Sequence, residues 1–289
     1  MVAREEPGQG SAATWAAGAV LPATLCALRD DPGHAAVFLD YDGSLAPIVA
    51  DPAAAAPWPG VPELLSRLGG RMARVVVVSG RPGRFLAATL GLHRGVDLFG
   101  LYGMERVASD GSVVVDPSLQ DWRGPVEEIR RRAEHESPPG VHVEPKGLSV
   151  TLHWRADPGS EPWVEEFARQ AEDRAGLLGQ RGRMSIELRP PVHTDKGTVV
   201  REIGAGYRAT CYFGDDLGDL AAFRALDELA ELGLAVTRVA VVDAESPAQV
   251  VEAADLLVAG PGGAVDLLEE LVTDRRPAAD PPASRRPGD

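Results

Sequence analysis

The sequence predicts an α/β fold, a Rossmann-like core with a parallel sheet and helices on both faces, carrying an inserted α+β module. Three observations lead there. Short apolar runs such as Val37-Phe38-Leu39 and Arg74 to Val78 read as buried strands, because parallel strands covered on both faces are continuously hydrophobic. Helix-like segments separate them, and strands alternating with helices imply a parallel sheet. Between about residues 111 and 190 the pattern changes, as Val150, Leu152 and Trp154 alternate with Ser149, Thr151 and His153. That alternation predicts a half-exposed strand.

The elements follow in order. Residues 1–33 are expected to form an extension with a short packing helix. Trp15 to Leu28 is fairly apolar, but Glu5 and Glu6 precede it and Pro22 interrupts it, which argues against a secretory signal or a membrane span. The core is expected over 34–110 and 191–272. Its first half holds the strand ending at Leu39, a helix at about Val61 to Leu68, the strand Arg74 to Val78, a helix opening near Pro82, and a strand at Leu98 to Tyr102. Its second half reads as a helix at Lys196 to Ile203, a strand at Thr210 to Phe213 and a helix at Leu220 to Leu232. Strands at Arg238 to Val242 and Asp255 to Val258 and a helix at Ala264 to Val272 complete it. The insert, 111–190, holds a hairpin arm at Gly111 to Val115, helices at Val126 to His135 and about Trp163 to Leu178, and strands at Val141 to Val143, Ser149 to Trp154 and Met184 to Leu188. Residues 273–289, rich in proline and arginine, are expected to be a disordered tail.

Composition narrows the function. A formal net charge of −14 argues against a nucleic-acid partner, which needs a basic face. The two cysteines, Cys26 and Cys211, make neither a disulfide framework nor a metal-ligand pattern. The expectation is a cytoplasmic protein with no membrane or nucleic-acid partner, acting as a monomer on a small molecule.

Polar segments sit where predicted core strands end or core helices begin: Asp40-Tyr41-Asp42-Gly43-Ser44, Ser79-Gly80-Arg81, Asp195-Lys196-Gly197, and Gly214-Asp215-Asp216-Leu217-Gly218-Asp219. Each alone also reads as a turn, a helix cap or a solvated lysine. Their common placement at the carboxyl edge of one sheet is what points to a ligand site. Asp40 and Asp42 share one side of an extended segment, and two such carboxylates repel unless a cation or proton relieves them. Together the residue types describe phosphoryl transfer. Asp40 suits a nucleophile and Asp42 a general acid and base. Ser79 and Lys196 supply a hydroxyl and a positive charge for phosphoryl oxygens. Asp215, helped by Asp216 or Asp219, completes with Asp40 an oxygen shell that favours magnesium (Mg2+).

These segments, in this order, resemble the haloacid dehalogenase (HAD) superfamily of aspartate-dependent phosphatases, over about residues 34 to 272. The insert is similar in position to that superfamily's C2-type cap. The closer resemblance is to trehalose-6-phosphate phosphatases. It rests on Leu39-Asp40-Tyr41-Asp42-Gly43-Ser44-Leu45-Ala46-Pro47-Ile48, Val78-Ser79-Gly80-Arg81-Pro82, Val143-Glu144-Pro145-Lys146-Gly147-Leu148-Ser149, His153-Trp154-Arg155, and Glu187-Leu188-Arg189-Pro190 leading to Asp195-Lys196-Gly197. The resemblance implies a magnesium-dependent phosphoric monoester hydrolase acting on a sugar phosphate through an aspartyl-phosphate. It implies metal ligation by Asp40, Asp215 and the Asp42 backbone carbonyl. It also implies substrate binding by Gly80, Arg81, Glu144, Lys146, Arg155 and Glu187, with Asp216 and Asp219 in support. Read without it, Glu144 and Lys146 are more readily a cross-strand ion pair on a solvated sheet.

The chain departs from the family pattern in places. Ser44 stands where threonine is usual, Gly218-Asp219-Leu220-Ala221 lacks a second acid, and Gly100-Leu101-Tyr102-Gly103-Met104-Glu105 lacks a histidine. The alternatives are a phosphatase of sucrose phosphate or of glycosyl-3-phosphoglycerate, a phosphomutase, or a catalytically silent sugar-phosphate-binding regulatory domain.

Overall fold

A computed structural model describes residues 12–49, 54–182, 184–192 and 194–273. The expected tail lies outside the described residues apart from Thr273. Strand β1 (Ala13–Thr14) and helix α1 (Ala23–Asp30) precede β2 (Ala35–Leu39). Then come α2 (Val61–Arg71), β3 (Arg74–Val78), α3 (Gly83–Leu90), β4 (Val96–Gly100), β5 (Glu105–Val107) and β6 (Val113–Val115). The next stretch holds α4 (Arg123–Glu136), β7 (His142–Pro145), β8 (Val150–His153), α5 (Glu161–Ala175), β9 (Leu178–Gly182) and β10 (Ser185–Arg189). The chain closes with α6 (Lys196–Gly204), β11 (Ala209–Gly214), α7 (Leu220–Glu231), β12 (Ala235–Val242), α8 (Ala248–Ala253), β13 (Leu256–Ala259) and α9 (Gly260–Val272).

The larger sheet runs β1-β13-β12-β11-β2-β3-β4-β5-β6. Its pairs are parallel from β1 to β4, and β5 and β6 add an antiparallel edge. Strand β2 lies in the middle, and its apolar run serves two cores. Ala35, Val37 and Leu39 face α1, α2, α3 and α9, while Ala36 and Phe38 face α6, α7 and α8. Full burial of a Val, Leu or Phe side chain contributes about 1.5–3 kcal/mol, so this strand anchors both layers. Helix α1 is preceded by Pro22 at its N-cap, where proline needs no intrahelical partner, and buries Leu25 and Leu28.

The smaller sheet, β7-β8-β10-β9, is antiparallel. Val150, Leu152, Ile186 and Leu188 pack with α4 and α5 on one face. No described helix is long and apolar enough to cross a membrane.

Several expectations shift. Strand β4 starts at Val96 and stops at Gly100, since Leu101 and Tyr102 take left-handed backbone in a 3-10 turn. The hairpin arm near Gly111 forms, with Gly111 at φ +84° in a tight turn, but it pairs into the larger sheet through Val115. Sheet pairing therefore carries the core past residue 111, where the insert was expected to begin. Strand β9 was not anticipated, because Leu178-Gly179-Gln180-Arg181-Gly182 shows no apolar alternation. The second face of β8, expected to be half exposed, is largely covered: Ser149 and Thr151 are buried. That face meets the core rather than solvent.

Candidate active site

Asp40 follows the last residue of β2 and is buried. Its backbone N–H donates to the Phe213 carbonyl at 2.9 Å, tying it to β11. Lys196 opens α6, whose start is fixed by a capping box in which Asp195 accepts from the Thr198 N–H at 2.8 Å. The buried Lys196 ammonium then reaches Asp40 Oδ1 at 2.8 Å and Asp219 Oδ1 at 2.7 Å. Asp219 is fully engaged. Its Oδ1 also accepts from the Tyr212 hydroxyl at 2.6 Å, and its Oδ2 accepts from the N–H groups of Asp215 and Asp216 at 2.9 and 3.0 Å. It orders the segment that carries Asp215. Asp216 accepts from the Gly218 N–H at 2.8 Å and caps the same turn.

Burial pushes Asp40 well above the carboxylate range; Lys196 opposes this, and Asp219, Asp215 and Asp216 add to it. Burial also pushes Asp215 up, to about 8, with Asp219 and Asp216 contributing. For Lys196 burial works toward deprotonation, but Asp219 and Asp40 outweigh it and hold the ammonium charged. For Asp219 burial favours the neutral acid, yet Lys196 and the surrounding donors keep it below its ordinary value.

Carboxylate oxygens of Asp40, Asp215 and Asp219 lie within 4.8 Å of one another. Asp215 Oδ1 is buried and has no hydrogen-bond partner among the described residues. An orphaned buried acceptor in an all-oxygen cluster fits a hard divalent cation. Gly43, at φ +79°, keeps the space open, because a Cβ there would stand 2.0 Å from Asp215 Oδ2.

Asp42 lies on the loop beyond Asp40, half-exposed, and is gripped by Arg81. The guanidinium Nε donates to Oδ2 and Nη2 to Oδ1, both at 2.7 Å. Arg81 also rests over the Phe85 ring, 4.8 Å from its centroid. Ser79 is buried one residue past β3, and its Oγ accepts from the Arg81 N–H at 3.1 Å. Its hydroxyl proton remains available to a phosphoryl oxygen.

The second face of the smaller sheet carries a polar row. Glu144, Thr151, Glu187 and Gln180 stand side by side across β7, β8, β10 and β9. Lys146 Nζ lies 3.3 Å from Glu187 and 3.9 Å from Glu144. Ser149 Oγ donates to Glu187 at 2.5 Å, and a His153 ring nitrogen meets Glu144 at 2.9 Å. This face is turned toward the aspartates: the Glu144 and Arg81 charges act on each other, and Arg189 of β10 stacks over Tyr102 of the core. Arg155 is elsewhere. Strand β8 ends at His153, the Asp157 N–H closes a turn on the Trp154 carbonyl, and Arg155 is exposed within it.

Sequence reasoning assigned no role to Tyr102 and Tyr212, and it carried Ser149, His153 and Arg189 only inside segments of family resemblance, with no role of their own. Period-two spacing signals some of them, since Arg189 follows Glu187 by two residues and His153 follows Thr151 by two. Nothing local marks Tyr212, a phenol set between Cys211 and Phe213 in a fully buried strand.

Comparison with known proteins bears on the family and the fold. The family model for trehalose-phosphatase matches residues 38–253. A trehalose-phosphate phosphatase of Mycolicibacterium paratuberculosis is 36% identical over 210 residues, covering 67% of this chain and 51% of its own length. A probable trehalose-phosphate phosphatase of Sinorhizobium fredii is 33% identical over 222 residues, 73% of this chain and 81% of the relative. This chain thus spans about half the length of the mycobacterial relative. The crystal structure of a trehalose-6-phosphate phosphatase related protein shares the fold, with TM-score 0.69 and 24% identity over 82% of this chain and 96% of that one. With matched residues running from inside β2 to the end of α8, the chain belongs to the trehalose-phosphatase family.

Proposed function

We propose that the protein hydrolyses trehalose 6-phosphate to trehalose and phosphate through an aspartyl-phosphate on Asp40. The observation that carries this reading is the pairing of two unlike surfaces. A cluster of buried Asp40 and Lys196 with part-buried Asp215 lies at the sheet's carboxyl edge, and a carboxylate-rich, sugar-compatible face is linked to its surroundings through Glu144 with Arg81 and Arg189 with Tyr102.

In the first half-reaction Arg81 turns from Asp42 to a phosphoryl oxygen, which frees an Asp42 oxygen to carry a proton; an Asp40 oxygen then bonds to phosphorus as the ester P–O bond breaks, and Asp42 gives that proton to the departing sugar oxygen. In the second, Asp42 takes a proton from water, the water oxygen bonds to phosphorus, and the Asp40–phosphorus bond breaks. Lys196 and Ser79 hold phosphoryl oxygens. Asp40, Asp215 and the Asp42 carbonyl are the groups that would hold magnesium, which supplies charge neutralisation between the carboxylates and the phosphate. Glu144, Lys146 and Glu187 accept from and donate to sugar hydroxyls. The insert acts as a cap that sets specificity and shields the phosphoryl group from bulk water.

Phosphate release from trehalose 6-phosphate, sucrose 6-phosphate, glucosyl-3-phosphoglycerate and glucose 6-phosphate, with and without magnesium, tests the reading. Clear preference for trehalose 6-phosphate, dependent on magnesium, is expected. Equal or better turnover of another sugar phosphate, or undiminished turnover in excess chelator, overturns it.

A further inference from the structure

Leu101 and Tyr102 are consecutive non-glycine residues with φ of +49° and +60°. Side chains other than glycine, asparagine and aspartate seldom adopt such backbone, and it persists only where the surroundings impose it. Here the surroundings are the phosphoryl-binding loop. The Leu101 N–H donates to the Arg81 carbonyl at 3.0 Å and the Tyr102 N–H to the Ser79 carbonyl at 2.9 Å. The Tyr102 phenol lies on Gly80: a Cβ at that position would stand 2.7 Å from both its Cζ and its hydroxyl oxygen. The Arg189 guanidinium sits over the ring, 5.4 Å from its centroid. Arg189 is itself held by Gln180 Oε1 at 2.9 Å and by the Thr194 carbonyl. The ring is therefore clamped between the Ser79–Arg81 loop and the polar sheet face.

The hydroxyl is differently placed. It makes no hydrogen bond to any described residue, and Tyr102 is only half-buried. Burial pushes the phenol far above its ordinary pKa, with Glu187 the next influence and Lys196, Asp216 and Asp40 also acting on it. It is a neutral O–H donor that feels the sheet carboxylate and the buried catalytic charges at once. A substrate joining the two surfaces must pass its phosphate ester through that same region.

We infer that Tyr102 is a specificity-determining residue of this site, its hydroxyl taking up an oxygen of the phosphorylated sugar ring beside the scissile ester. The inference rests on the sugar-phosphate reading above and adds a residue to it. Partly buried tyrosines that keep a polar tip facing a ligand behave in this way. The clamp gives the contact its value, because a ring held by Arg189 over one face and Gly80 at its hydroxyl end loses little freedom when substrate arrives.

The test is kcat/KM of wild type and Tyr102→Phe on trehalose 6-phosphate and on p-nitrophenyl phosphate, which has no sugar hydroxyls, with Tm recorded for both proteins. The substitution should lower kcat/KM for trehalose 6-phosphate by roughly 3–10-fold, the worth of one neutral hydrogen bond. Hydrolysis of the aryl phosphate and Tm should stay at wild-type values. Parallel losses on both substrates, or no loss on either, overturn the assignment. Wild type measured alone tests the parent reading: lack of preference for trehalose 6-phosphate defeats that reading, whereas a preference that Tyr102→Phe leaves untouched defeats only the role of Tyr102.

Discussion

Arg81 holds the Asp42 carboxylate with two parallel hydrogen bonds of 2.7 Å. A guanidinium fork fits a carboxylate in this way, and an ammonium does not reproduce it. The pair sets where the proposed acid and base group points. It also means that Arg81 must loosen its grip, or share it with a phosphoryl oxygen, when substrate enters.

Arg81→Lys keeps the charge and removes the fork. Turnover should fall about 10–100-fold, a fraction of what acid–base catalysis contributes. The loss should be similar for trehalose 6-phosphate and p-nitrophenyl phosphate, because Asp42 serves both. Steady-state kinetics on the two substrates is the check; a loss confined to the sugar phosphate would place Arg81 in sugar recognition instead.

Lys196→Met should affect stability as well as activity. Both carboxylates that Lys196 joins are buried, and removing one partner of a buried charged cluster costs roughly 3–5 kcal/mol. Urea unfolding should show a lower midpoint with an unchanged slope. A midpoint equal to wild type would mean that the cluster is compensated from elsewhere.

Asp215 predicts how metal binding depends on pH. Its folded pKa is about 8 without a cation, above the unfolded value near 3.8. Between those values the folded state holds the extra proton, so this group makes the metal-free protein less stable as pH rises through that window. Below pH 8 a cation must displace that proton. Magnesium should therefore raise Tm more at pH 8 than at pH 6. Equal shifts at both pH values would remove Asp215 from the metal site.

Gly43→Ala tests the same site by geometry. A methyl group 2.0 Å from Asp215 Oδ2, on backbone at φ +79°, must displace one or the other. Magnesium-dependent activity should be lost, and the magnesium-induced rise in Tm should vanish with it. A variant with intact magnesium response would show that the loop yields without moving Asp215.

Glu144→Ala and Arg155→Ala form a contrasting pair. Glu144 lies on the polar row beside Lys146 and His153, whereas Arg155 is exposed in a turn. Glu144→Ala should lower kcat/KM for trehalose 6-phosphate about 10–100-fold, as expected for one or two charged hydrogen bonds, and scarcely affect the aryl phosphate. Arg155→Ala should leave both near wild type. The reverse ranking would show that the turn after β8 folds over the substrate.

The sequence announced much of this arrangement because its strongest signals are local. Arg74 to Val78 is bounded by Ala73 and Ser79, and in the structure β3 begins at Arg74 and ends at Val78. Asp40, Lys196 and Asp215 stand at the ends of elements whose apolar runs are plain to read. What stayed hidden depends on contacts between distant segments. The saturation of Asp219 by Lys196, Tyr212 and two backbone donors is not a property of Gly218-Asp219-Leu220. The left-handed backbone at Leu101 and Tyr102 is imposed by the Ser79–Arg81 loop, so a run that looks like strand stops early. Arg155 keeps the parity of Thr151 and His153 on paper, but the turn at Trp154 breaks that parity in space.

Strand β2, with Asp40 at its end, gains its neighbour β11 only after the whole insert has been made. Pairings so far apart in sequence carry a large closure entropy and form late. Asp40 therefore spends the early part of chain growth as an ordinary solvated carboxylate, with neither Lys196 nor Asp215 beside it. The Asp40–Lys196–Asp215 cluster is assembled in one step with the closing of the sheet. A half-made chain carries no assembled cluster, and because β2 anchors both layers, a break between β2 and β11 should disperse the cluster together with the packing of both cores.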